Sequence, residues 1–284
     1  MTRAPETPTQ HSSPAGRDRR RVLKALAAAG AAAAGPVAGS PRRDGPGGRC
    51  CPIVELRQYT LHAGRRDTLI DLFDREFILG QEAAGVRVIG QFRDLDDPDR
   101  FVWMRGFADL ESRGRALAAF YGGPDWRRSR AAANATMLDS DNVLLLRPAE
   151  DGGGFALDGM RRGGARGLLA ANLHYLDADA VQPFAAFFEQ AMKPAIAAAG
   201  GRVAAAFVTH DGPNSFPALP IRAGEHVLVW FAGFADAAAH ARFAERLRAG
   251  QTWREKAAPQ IFRQLARKPE VLRLVPTSGS LLGA

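Results

Sequence analysis

Val102-Trp103-Met104-Arg105-Gly106-Phe107-Ala108-Asp109 recurs 127 residues later as Val229-Trp230-Phe231-Ala232-Gly233-Phe234-Ala235-Asp236, with six identities in eight. The same displacement carries Trp126-Arg127 onto Trp253-Arg254, and Leu144 to Pro148 falls on Leu272 to Pro276 with a shift of 128. Upstream, Ala83-Ala84-Gly85 matches Ala198-Ala199-Gly200 at a shift of 115, so the second copy holds a twelve-residue insertion within the proline-rich stretch Asp211 to Glu225. A repeat of this length is two copies of one structural unit.

Each copy reads in the same order. Ile53 to Leu61 alternates as a strand, and Asp67 to Ala84 is a helix whose Leu69, Leu72, Phe73 and Phe77 share a face. Gly85 ends that helix. Arg87 to Arg93 and Phe101 to Phe107 form a hairpin across Asp96-Asp97-Pro98-Asp99, followed by a helix over Asp109 to Tyr121. A short helix carries Trp126, and Val143 to Arg147 closes the sheet. The second copy repeats this with a strand over Leu168 to Leu176, a helix carrying Val181, Phe184, Phe187, Phe188 and Met192 that Pro194 should kink, and strands near Arg202 to Val208 and His226 to Phe231. A βαββαβ order is the ferredoxin-like plan, an α+β domain with helices on one face. Two such domains in tandem can set their bare faces together as an intramolecular α+β barrel. The expected layout is a leader and linker over 1–52, repeats over 53–148 and 168–276, a Gly/Arg-rich linker over 149–167 and a tail over 277–284.

The 284 residues are 46% hydrophobic and 24% charged, a globular composition, with a formal charge of +8. Residues 1–52 hold nine basic and three acidic residues, leaving 29 basic and 27 acidic residues in the body. A nearly balanced body is not a nucleic-acid binder. Within the leader, Asp18-Arg19-Arg20-Arg21-Val22-Leu23-Lys24 precedes the alanine-rich run Ala25 to Ala34 and resembles a twin-arginine export signal, with Arg19 and Arg20 as its pair. The run is too short and weakly apolar for a permanent membrane anchor. Val37-Ala38-Gly39 offers small residues for cleavage, and the expected location is periplasmic or extracellular. A solvated low-complexity tail is the competing reading. Cys50 and Cys51, the only cysteines, are adjacent and are not expected to form a disulfide.

Glu55-Leu56-Arg57-Gln58-Tyr59-Thr60-Leu61, followed by Ala63-Gly64, the Gly85 turn and Pro124-Asp125-Trp126, resembles the NIPSNAP family. The resemblance covers about residues 53 to 148 and loosens in the second copy, which opens Ala170-Ala171-Asn172-Leu173-His174-Tyr175-Leu176. It implies the dimeric α+β-barrel fold, often in tandem, and little chemistry.

Alternation puts Val54 and Leu56 on one strand face and Glu55, Arg57 and Tyr59 on the other. With the first face turned to the helices, the polar trio is expected to line the barrel interior. Asn172 and His174 take the corresponding places of Arg57 and Tyr59. This set suits a small anionic or carbonyl-bearing ligand, against the reading of a Glu55–Arg57 network that satisfies itself. Trp103, Trp126, Trp230 and Trp253 are expected as packing anchors, with Arg127 and Arg254 in solvent. His62, His174, His210 and His226 lack metal-site spacing, and no metal or cofactor is expected. Gly122-Gly123-Pro124-Asp125-Trp126 ends in Trp where the G-x-x-D-G pattern of dye-decolourising peroxidases ends in Gly, which weighs against haem. No nucleotide-binding or serine-hydrolase motif is present.

The leading expectation is an exported protein that binds a small ligand or a protein partner, with the translocation machinery met through the leader. A cofactor-independent monooxygenase or haem oxidoreductase, using Tyr59, Arg57 or His174, is the alternative from another class. A structural module that assembles as a homo-oligomer is the third.

Overall fold

The computed structural model describes residues 49–284. The export motif at Arg19 and Arg20 lies outside the described residues. The first repeat comprises β2 (Ile53–Leu61), the helix α1 running through Arg66–Leu72, Phe73–Phe77 and Ile78–Ala83, β3 (Arg87–Asp94), β4 (Arg100–Phe107), α2 (Leu110–Tyr121), α3 (Pro124–Asn134) and β5 (Met137–Pro148). The second comprises β7 (Leu168–Leu176), α4 running through Val181–Phe187, Phe188–Met192 and Lys193–Ala198, β8 (Val203–Thr209), β9 (His226–Phe234), α5 (Ala237–Ala249), α6 running through Trp253–Ala257 and Ala258–Gln264, and β10 (Glu270–Pro276). The strands close into one barrel in the order β10-β3-β4-β2-β5-β8-β9-β7. Each repeat supplies four neighbours in the ferredoxin-like order. The two sheets are joined by β5 on β8 (Leu146 opposite Thr209) and β10 on β3 (Leu274 opposite Asp94), so neither keeps a free edge.

The repeated glycines end equivalent helices: Gly85 and Gly200 adopt φ of 96° and 80°, a left-handed turn that a side chain would strain. Asp109 and Asp236 cap α2 and α5 by accepting from Ser112 N and Ala239 N. The irregularity expected at Pro194 is a π-helical turn, Phe188–Met192, ahead of it. Phe73–Phe77 makes the same turn with no proline in its helix, so the turn belongs to the fold and Pro194 is accommodated by it.

One expectation is reversed. Val54 and Leu56 face into the barrel, where they join Phe92, Met104, Phe207, Phe231 and Leu274 in an apolar core drawn from all eight strands. Glu55, Arg57 and Tyr59 face outward beneath the helices. All but one residue of β2 are buried, because the barrel covers one face and the helices cover the other. Alternation in such a strand separates two buried surfaces and does not say which is inside. The apolar set goes inward because the interior offers only neighbouring strands, whereas α1 and α2 can bring Gln81 and Arg113 to the polar set.

The linker and tail are structural parts. A two-stranded ribbon pairs β1 (Arg49–Cys50) with β6 (Phe155–Ala156) and delivers Phe155, fully buried, against Phe207 and Phe231 at ring separations of 5.0 and 5.1 Å. Leu157 and, from the tail, Leu282 join the same core. Cys50 and Cys51 are bonded to each other in a disulfide, which corrects the expectation of no cross-link; the ring they form is buried beside Gly106. Among the described residues no helix is long and apolar enough to cross a membrane.

Candidate functional site

The register of β2 on β4 places Glu55 opposite Arg105 and Arg57 opposite Trp103. Arg113 descends from α2. The Glu55 carboxylate is thereby saturated: one oxygen accepts from Arg57 Nη1 at 2.6 Å and Arg105 Nε at 2.7 Å, the other from Arg113 Nε at 2.6 Å. Arg57 Nε donates to the Tyr59 hydroxyl at 2.9 Å, and Arg105 Nη1 to Gln81 Oε1 at 3.2 Å. The carboxylate and the three guanidinium groups are at most 1% exposed. Burial raises the Glu55 pKa, but Arg105, Arg57 and Arg113 outweigh it and hold the group well below the usual carboxylate range. Burial pushes Arg113 down, with Glu55 opposing. Aromatic rings fill the remaining space: Tyr59 and Phe73 pack edge-on to Trp103, and Trp126 lies among Phe77, Phe120 and Tyr121. Only about 30 Å³ stays open there.

The equivalent place in the second repeat is open. Between its sheet and α5 lies a cleft of about 530 Å³, floored by Asn172, His174 and Trp230 and walled by Phe243, Leu247, Trp253 and Val271. Charged groups stand at its margin: Asp96 pairs with Arg273, and Glu245, Arg248 and Glu270 lie nearby. Trp230 Nε1 donates to His174 Nε2 at 3.2 Å, which leaves the imidazole proton on Nδ1. Burial lowers the His174 pKa to about 4, so the ring is neutral at physiological pH. His174 Nδ1 and Asn172 Nδ2 are both buried without a hydrogen-bond partner. Two buried donors thus lie in the floor of a mostly apolar cleft, an arrangement suited to an oxygen acceptor on a small molecule.

The structure divides the sequence-predicted residues between these places. Glu55, Arg57 and Tyr59 form the closed network anticipated as the competing reading, whereas Asn172 and His174 share the cleft. Trp103, Trp126 and Trp230 are buried as anchors, but Trp253 is half-buried and lines the cleft. Its π-helical segment, Trp253–Ala257, replaces the regular α3 that buries Trp126. Arg127 and Arg254 are exposed. Sequence reading missed Arg105 and Arg113. The signal lay in the repeat itself: Glu55, Arg105 and Arg113 correspond to Ala170, Ala232 and His240, so charges that pair in one copy vanish together in the other. Among the described residues, no group of three or more His, Cys, Asp and Glu side chains could hold a metal ion.

Residues 54–151 match the NIPSNAP family model. A candidate monooxygenase from Fusobacterium nucleatum subsp. nucleatum is similar in structure at a TM-score of 0.52 and 9% identity, over 79% of this chain and 91% of that one. An anthrone oxidase-like protein is similar at 0.50 and 12%, over 82% and 95%. A NIPSNAP-like domain protein from Burkholderia xenovorans is 28% identical over 33% of this chain and 81% of that one, at a TM-score of 0.31. No curated protein matches. At these identities the full-length likenesses establish the shared tandem barrel fold.

Proposed function

We propose, for a chain whose residues 54–151 form a NIPSNAP domain, that its second repeat is the ligand-binding half and takes a small, mostly apolar molecule bearing a carbonyl or carboxylate oxygen. The observation that carries this reading is the pair of unpartnered donors, Asn172 Nδ2 and His174 Nδ1, in a cleft of about 530 Å³. A buried donor without a partner costs about 1–3 kcal/mol, which a bound acceptor recovers. The aromatic walls supply the remaining affinity by excluding water from the ligand's apolar part. The twin-arginine-like leader supports binding outside the cytoplasm, a reading that an uncleaved precursor found only in the cytosol of an exporting host would overturn.

The oxidoreductase alternative asked Tyr59, Arg57 or His174 to act as acid–base and anchoring groups. Arg57 and Tyr59 are bonded to each other and committed to the Glu55 network, while His174 stands in the other repeat. A histidine with a pKa near 4 is also a weak base at neutral pH; its protonated Nδ1 serves better as a donor.

The test is fluorescence of Trp230 and Trp253 during titration with a panel of hydrophobic ketones and carboxylates. Binding should be weakened about tenfold in Asn172→Ala and in His174→Ala, corresponding to the loss of one hydrogen bond. A panel that leaves the fluorescence unchanged, or ligands that bind the two variants as tightly as the native chain, would remove this assignment.

A further inference from the structure

We propose that the first repeat also contains a ligand site, for a flat ring bearing a carboxylate, and that the insertion loop of the second repeat occupies this site as an internal stand-in. The inference does not depend on the second-repeat cleft.

The loop between β8 and β9 crosses to the first repeat. Asn214 Oδ1 and Ser215 Oγ each accept from Arg113 Nη1 at 3.0 Å. The next residue, Phe216, stacks on Tyr121 with ring centroids 5.9 Å apart and planes inclined by 19°. Three consecutive residues therefore present two oxygens to a guanidinium and a flat ring to a flat ring. An aryl carboxylate has those same two parts.

Charge favours such a ligand over the loop. Three buried guanidinium groups share one buried carboxylate, and both Glu55 oxygens are already engaged. Asp141, the further carboxylate whose field reaches Arg57, is exposed to solvent. Arg105 Nη2 and Arg113 Nη2 are buried with no hydrogen-bond partner. The loop supplies only neutral oxygens, whereas a carboxylate would give charge-assisted bonds roughly twice as strong.

The other half of the barrel shows the same position without a plug. There the connection corresponding to the loop is the short β3–β4 turn, which reaches the second-repeat cleft only with Asp96 at its margin and leaves about 530 Å³ open. The twelve extra residues thus lay a loop on Arg113 and Tyr121 that has no counterpart over the second-repeat cleft.

The experiment uses the full chain and sodium benzoate as probe. Calorimetric titration of Asn214→Ala/Ser215→Ala/Phe216→Ala should show benzoate binding at least tenfold tighter than in the native chain. Adding Arg113→Gln should abolish the gain, while adding His174→Ala should not, which separates this site from the second-repeat cleft. A folded triple variant that binds benzoate no better than the native chain, or whose gain survives Arg113→Gln, would overturn the proposal. If the triple variant does not fold, hydrogen exchange of the native chain decides: saturating benzoate should accelerate exchange over residues 212–217 by severalfold as the loop is displaced, and unchanged exchange there refutes the displacement.

Discussion

The two helix-facing sheet surfaces descend from one pattern but solve different problems. Beneath the helices of the first repeat stand Glu55, Arg57, Arg105 and Arg113; at the corresponding places of the second stand Ala170, Asn172, Ala232 and His240. The first set saturates its carboxylate and leaves almost no space. The second set has no buried ion pair and leaves the cleft. The comparison teaches that a buried charge network is an all-or-none feature. Removing its anion alone strands three cations, and removing one cation weakens the hold on the anion, so the members are lost as a group.

That conclusion is broken or sharpened most strongly at Glu55. Glu55→Gln removes the charge that three guanidinium groups share and should destabilise the protein by about 3–5 kcal/mol in urea unfolding. Exchanging the whole set for the residues of the second repeat, Glu55→Ala/Arg57→Asn/Arg105→Ala/Arg113→His, should lose several kcal/mol less than the sum of the four single changes, about the size expected for strongly coupled neighbours. Additive losses would mean that the four side chains are independent packing elements. The second repeat has no counterpart to Glu55, and substitution of Asn172 should change unfolding free energy by only about 1 kcal/mol.

The next contrast is with pH. Unfolded His174 takes up a proton below its ordinary pKa of 6.5, whereas the folded ring stays neutral down to about 4. Between these values the unfolded state binds more protons, so stability rises with pH and is lost on acidification from 6.5 towards 4. The loss approaches about 3 kcal/mol for a fully buried ring. Burial also lowers His210 and His240, which add to the same window, so the measurement is the difference between the native chain and His174→Gln in urea unfolding from pH 7 to 4. The variant should flatten the profile; an unchanged slope would mean that His174 is not held neutral. Tyr59, at the equivalent place of the first repeat, contributes nothing there. The Glu55 site acts lower: its stabilisation is complete above the ordinary carboxylate value of 4.5 and is lost only as pH falls well beneath it.

Much of this architecture was legible in the sequence because duplication doubled every signal. The Val-Trp…Gly-Phe-Ala-Asp motif fixed the last strand residues and the helix cap in both copies, and the displaced Ala-Ala-Gly located the insertion. The inward face of β2 was not legible, since alternation distinguishes faces only when one of them meets water. Phe155 and Leu282 were hidden for a different reason: each belongs to an apolar run of two or three residues in a Gly-rich or terminal stretch, too short to show a period. The cleft needed a subtraction between copies, in which Tyr59 becomes His174 and Trp126 becomes a partly withdrawn Trp253. The loop residues Asn214, Ser215 and Phe216 could not be placed on the first repeat without the closed barrel that brings them there.

The smallest test lies at the two helix caps that close the repeated motif. Asp109 and Asp236 occupy the same place, and each accepts from the backbone amide of the third helical residue, at 2.6 and 2.7 Å. Ser112 completes the first cap by accepting from Asp109 N at 3.0 Å, whereas Ala239 in the second has no side-chain oxygen to offer. Asp109→Ala and Asp236→Ala therefore each remove one bond, the one accepted by the carboxylate, and the backbone amide of residue 109 can still donate to Ser112 Oγ. Both should cost about 1 kcal/mol, and Ser112→Ala a few tenths in the first repeat. Adding Ala239→Ser tests the same point in reverse: the hydroxyl should return a comparable few tenths to the second repeat by accepting from Asp236 N. A gain there, of the size lost in Ser112→Ala, would show that the difference between the two caps lies in the bond to the N-cap amide rather than in the helices they begin.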